Sequence, residues 1–109
     1  MQEGELDRHI FLDRPTVTQN DLGEEITVWA QIARVWASWR RASSNETLAS
    51  AEIAASVSDV FEIRYSSQVA DLDPKCRLTY RGIEYDIVSV DEIGRREGLR
   101  IGAVARSDG

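Results

Sequence analysis

Apolar side chains recur in this chain with a period of two, in short runs broken by turn residues, and that rhythm restricts the fold more than any other feature. Phe61, Ile63 and Tyr65 lie on one side of a run whose other side carries Glu62 and Arg64. Leu99, Ile101, Ala103 and Ala105 alternate in the same way with Arg100, Gly102, Val104 and Arg106. Such alternation belongs to a half-buried strand, because successive Cβ atoms point to opposite faces of a sheet. Further strand patterns cover residues 9–14 up to Pro15, 25–29, 35–39, 76–80 and 83–90. Turn residues separate them: Asp21-Leu22-Gly23, Asp73-Pro74, the charged stretch 94–98, and Arg81-Gly82, which has the length of a two-residue hairpin link. There is no internal repeat and no alternation of strands with helices, so a parallel nucleotide-binding sheet is not expected. The pattern predicts an all-β domain over residues 1–109, a small antiparallel barrel or sandwich of about six to seven strands.

One stretch breaks the rhythm. Residues 41–58 are rich in Ala, Ser, Glu and Leu and contain no aromatic side chain. Ser43 followed three residues later by Glu46 fits a capping box, and Leu48, Ala51 and Ala55 share one helical face. A helix of about 12 residues is marginal alone and forms when docked on something else. The stretch therefore reads as a helix-bearing insertion between strands.

Composition removes most chemistry. One cysteine, Cys76, forms no internal disulfide, and one histidine, His9, excludes sites built on two. Nineteen acidic residues against thirteen basic give a net charge of −6, the wrong sign for binding nucleic acid through clustered Lys and Arg. No apolar run approaches the ~18 residues of a membrane span, and the opening Met1-Gln2-Glu3-Gly4-Glu5 is not a signal peptide. No glycine-rich phosphate loop is present. Asp71 with Asp73, and Glu84 with Asp86, are spaced to share a strand face, as an acid–base pair or a hard-cation site would need; a solvated face is the expected reading. His9 reads as a surface or cap residue. Cys76, between Lys75 and Arg77, reads as a buried structural cysteine. No catalytic, cofactor or metal site is expected, and the chain is not read as an enzyme.

Two segments carry apolar residues on both faces. Ile83, Tyr85 and Ile87 mark one side of their run, yet Val88 and Val90 fall on the other among Glu84 and Asp86. Trp36 likewise points away from Val35, Ala37 and Trp39. Either a bulge resets the phase, or the outer side is covered by the 43–55 segment or by another subunit. Trp36, Val88 and Val90 are therefore the candidate subunit-interface residues, with Trp36 foremost because tryptophan is favoured at interface centres.

The order of several short patterns resembles the phage head–tail joining family, the head–tail adaptors, stoppers or head-closure proteins. These are Gly4-x-Leu6, Ile10, Arg14-Pro15, Gly23-Glu24, Trp29 and Ala33-x-Val35-Trp36-Ala37, then Phe61-x-Ile63-Arg64-Tyr65, Arg77-Leu78-x-Tyr80-x-Gly82-x-x-Tyr85-Asp86-Ile87 and Val90. The Ala- and Ser-rich stretch after the tryptophan strand departs from the family, which has a bulkier residue there. The resemblance implies a small barrel with a helix-bearing insertion, whose copies form a ring between portal and tail of a phage, prophage or gene transfer particle. It implies a virion protein assembled in the host bacterial cytoplasm, monomeric when free, with portal-side adaptor and tail-side terminator proteins as partners and no membrane. Double-stranded DNA would pass through the ring without sequence-specific binding. Leu48 and Ile53 of the insertion would join the interface, and Asp59, Glu62, Asp71 and Asp73, in or beside the long loops, would face the channel. Residues 41–58 are the first choice for a gating loop and 66–75 the second. A tail terminator or other neck component, or a generic small-barrel binding module, is the alternative.

Overall fold

Six strands close on themselves in a computed structural model that describes residues 6–42 and 57–106. They are β1 (Arg8–Gln19), β2 (Glu25–Arg41), β3 (Asp59–Arg64), β4 (Arg77–Tyr80), β5 (Ile83–Ile93) and β6 (Gly98–Ala105). The order around the barrel is β1-β2-β3-β6-β5-β4, with β4 returning to β1 and every neighbouring pair antiparallel. The described residues contain no helix. The helix expected in 43–55 lies outside them.

Local chemistry sets the hairpins. Arg81 and Gly82 both have positive φ (56° and 78°), as a two-residue turn matched to strand twist requires. Asn20 builds the β1–β2 turn by accepting the Leu22 and Glu24 backbone N–H groups on its side-chain oxygen, each at 2.9 Å.

Two predicted strands, 25–29 and 35–39, are one continuous strand of 17 residues. Leu12 pairs with Ala33 but Asp13 with Gln31, so Ile32 is an extra residue and the ribbon is bulged there. Pro15 does not end β1 as expected; it pairs with Trp29 in the middle of the ribbon. The reason is position: β4 meets β1 only at residues 10–13, so beyond Asp13 the outer side of β1 is a free edge, where a missing N–H breaks no ladder. Residues 14–19 and 25–30 consequently form a two-stranded arm that leaves the barrel. The Cα radius of gyration, 14.6 Å with a longest extent of 48 Å, exceeds the ~13 Å of a spherical chain of this length because of it.

The interior is filled by Ile10, Leu12, Phe61, Ile63, Leu78 and Ile101, none accessible to solvent. Phe61 meets Tyr80 and Tyr85 edge-on at 5.6 and 5.4 Å between ring centres. The loop between β3 and β4 contributes Val69, Leu72 and Cys76 to this core. A second bulge explains the two-faced apolar pattern of β5. Ile87 pairs with Ala103 and Ser89 with Gly102, which leaves Val88 as the extra residue. The phase is thereby reset, and Val90 turns inward to pack on the core. On the outside, Val57 lies over Gly102: a Cβ there would stand 3.0 Å from Val57 Cγ2 and 2.6 Å from Ser89 Oγ.

Truncating Phe61→Ala is expected to cost about 3–5 kcal/mol, because both tyrosine rings lose their central partner. Gly102→Val is expected to cost about 1–3 kcal/mol through overpacking against Val57 and Ser89. Urea unfolding of the two variants beside the parent chain measures both.

Candidate functional site

Pairing of β1 with β2 puts His9 opposite Trp36 and Phe11 opposite Arg34 on the outer wall. His9 stacks on the Trp36 indole with ring centres 4.8 Å apart, and Phe11 lies 5.5 Å from His9. Trp36 is still 57% exposed. It borders a cleft of about 600 Å³ whose lining includes Leu6, Arg34, Arg64, Ser66 and Gln68. Among the described residues two guanidinium groups and no carboxylate line this cleft, in a chain that is acidic as a whole.

The arm is the second surface. Val17, Leu22, Ile26 and Val28 are exposed on it, Leu22 at 82%. Asp21, Glu24 and Glu25 crowd its tip, and residues 15–33 contain no Lys or Arg. The strand pattern read from the sequence stops at Pro15 and resumes at residue 25, so it does not foresee the arm. Val17, Ile26 and Val28 were the signal, three apolar residues with no core to enter.

A charged lattice holds the base of the arm to the barrel. Arg77 pairs with Asp13 at 3.2 Å and Glu84 at 3.6 Å, and Arg106 with Glu84 at 3.1 Å and Asp86 at 2.6 Å. Trp29 lies beneath both cations, 4.4 Å from the Arg77 guanidinium carbon and 5.6 Å from that of Arg106. The hydrogen bond to Asp86 raises the Arg106 pKa further above its ordinary value. Glu84 and Asp86 thus share a face as their spacing predicts, and both serve Arg106. Among the described residues no three His, Cys, Asp or Glu side chains gather as metal ligands would.

The other sequence candidates fall in different places. Val88 is half-buried at the bulge and Val90 faces the core. Leu48 and Ile53 lie outside the described residues. Asp59 is buried, its carboxylate accepting the Trp39 Nε1–H at 2.7 Å and the Ser58 hydroxyl at 2.7 Å. A buried, doubly bonded carboxylate presents no face to a passing polymer, which removes Asp59 from the channel-facing acids. Glu62 pairs with Arg100 at 3.0 Å. Asp71 and Asp73 both pair with Arg14, at 3.3 and 3.6 Å, and Arg14 also donates to the Asp71 carbonyl. Asp73 is held below the usual carboxylate pKa mainly because it accepts the Lys75 backbone N–H. Those contacts, with Val69 and Leu72 buried, pack the 66–75 loop against the barrel. Cys76 is buried, and desolvation pushes its thiol pKa up, opposite to what flanking Lys75 and Arg77 would do to an exposed thiol.

The family model of phage head completion proteins matches residues 1–106. Among solved structures, a protein of Shigella flexneri 2a determined in solution superposes with a TM-score of 0.79 at 23% identity, covering 100% of both chains. A chain in the virion of a native gene transfer agent particle superposes with a TM-score of 0.61 at 20% identity, covering 90% of this chain and 92% of the other. At these identities the two structures share the fold. None of the curated proteins compared matches this chain.

Asp59→Ala is expected to cost about 1.5–3 kcal/mol by stranding the Trp39 indole N–H, and Asp59→Asn less because an acceptor survives; thermal unfolding separates the two. At pH 8 the Cys76 thiol is expected to react with iodoacetamide far more slowly in the native protein than in urea, since both burial and a raised pKa keep thiolate scarce. Equal rates in the two states would contradict the buried assignment.

Proposed function

Given that this chain belongs to the phage head completion protein family, we propose that it is a structural head–tail connector, an adaptor or stopper whose copies form a ring between portal and tail. Family membership over residues 1–106 carries the proposal. The gene transfer agent virion that contains a chain of the same fold supports a place in such a particle.

The architecture suits a ring component. The closed part of the barrel has no strand edge to offer, so contacts between copies fall to side chains on its wall and to the arm, where β1 and β2 each have a free edge. Rings are built by heterologous contacts, in which one patch meets a different one on the next copy. Trp36, exposed beside its cleft, is the first patch, and Val88 at the β5 bulge lies on another part of the wall.

Passage of DNA asks for a lining that does not grip phosphate. A net charge of −6 per copy repels the polymer. Glu62, Asp71 and Asp73 are the remaining channel-facing candidates; Asp71, with 79% of its side chain exposed, keeps most of its surface in water although paired with Arg14. The role is mechanical, and no substrate chemistry is assigned to it.

Deleting the gene in a particle-producing strain is expected to leave DNA-filled heads that lack tails and leak their DNA, visible by electron microscopy. Trp36→Ala is expected to give a folded monomer by circular dichroism and light scattering that fails to restore tailed particles. Normal yields of tailed, DNA-filled particles from the deletion strain overturn the connector role.

A further inference from the structure

The arm and the cleft complement each other in charge, polarity and reach. We propose that the arm of one copy docks on the Trp36 cleft of the next and so makes the repeating contact of the ring. This rests on the connector reading above and specifies the two patches that reading requires.

Charge is the first argument. The arm tip carries Asp21, Glu24 and Glu25 with no cation anywhere in residues 15–33, whereas among the described residues the cleft presents the exposed Arg34 and no carboxylate. Opposed fields of this kind select and orient partners, and like-charged arms avoid each other. Apolar fit is the second. Leu22 projects from the tip at 82% exposure, with Ile26 and Val28 behind it, and the cleft offers the Trp36 ring and Val35. An apolar anchor inside a polar rim is the usual form of a specific interface.

Reach decides whose cleft is filled. Glu25 and Trp36 are eleven residues apart along the same strand. At ~3.3 Å per residue that is about 36 Å of stiff ribbon, so an arm does not fold back onto its own cleft. The occupant is therefore another chain. Because arm and cleft are different patches, a second copy docks head to tail, leaving its own arm free for a third. The covalent order of β1 and β2 puts donor and acceptor surfaces at opposite ends of one hairpin, which is the arrangement a ring contact needs.

The test joins full-length chains carrying single substitutions. Leu22→Cys in one tagged chain and Gln68→Cys in another are both exposed positions, and the native Cys76 is buried. A short bis-maleimide is expected to couple this mixed pair at least about tenfold more than Leu22→Cys with itself. Adding Asp21→Lys and Glu24→Lys to the arm chain is expected to lower the mixed yield about tenfold, and Arg34→Glu in the cleft chain to raise it again. The same coupling is run on purified protein and within particles. Equal arm-to-arm coupling, coupling of the arm to a different virion protein, or no mixed product in either setting overturns the inference. A deletion strain with tail-less heads combined with any of those outcomes removes only the arm–cleft contact. Normal particles from the deletion strain remove the connector role itself.

Discussion

Closure of the sheet depends on one short seam. Residues 10–13 of β1 pair with 77–80 of β4, and these four register pairs turn a six-stranded sheet into a barrel. The seam brings Ile10 and Leu12 beside Leu78 and Tyr80, so the same residues that close the hydrogen-bond ladder also fill the middle of the core. Its shortness matters as much as its presence. Where β4 ends, β1 loses its second neighbour, and everything beyond on β1 and β2 is an arm. A barrel with a longer β4 would have absorbed that ribbon into its wall. The arm therefore exists because two strands of 12 and 17 residues share a barrel with one of four.

Two single-residue insertions then decide which side chains look outward. Ile32 in β2 and Val88 in β5 are each unpaired, and each shifts the inside–outside alternation of the residues that follow. The β5 bulge turns the half-buried Val90 against the core and leaves Ser89 on the other face, buried beside Val57. Trp36 has no such rescue. The register from Arg34 to Ala37 runs without a shift, Val35 and Ala37 point inward, and Trp36 is left on the wall against His9. Of the two apolar anomalies in the sequence, one is intramolecular and one is a real surface feature.

The charges are arranged locally rather than spread. Surface ion pairs are individually worth little, about 0–1 kcal/mol, but Asp13, Arg77, Glu84, Arg106 and Asp86 form a connected lattice over the Trp29 ring. It links the base of the arm to β4 and β5. The Arg14 fork onto Asp71 and Asp73 ties the loop between β3 and β4 to β1. Acid gathers at the arm tip, while the Arg34 guanidinium lies at the cleft. A net charge of −6 hides that separation, which is the property an assembling particle component can use.

Much of the fold was legible in the chain. Period-two runs located all six strands, Arg81-Gly82 marked its hairpin, and the order of small motifs pointed to the family, because alternation, turn chemistry and motif order are local properties. The exposed state of Trp36 followed from the parity of its neighbours, and the burial of Cys76 from its residue type. Other features were not legible. Pro15 ended a strand on paper but continues one in the barrel, since its tolerance depends on whether a neighbour lies on its N–H side. Val90 and Asp59 looked outward by parity and by closeness to a loop, yet a bulge buries one against the core and Trp39 and Ser58 bind the other. Strand content, hairpin turns and net charge are thus written in the sequence. Which strand is the barrel's short one, where the register slips, and how acid and base are set apart at two ends of one hairpin were decided only when distant segments paired, because each depends on a neighbour that no local window contains.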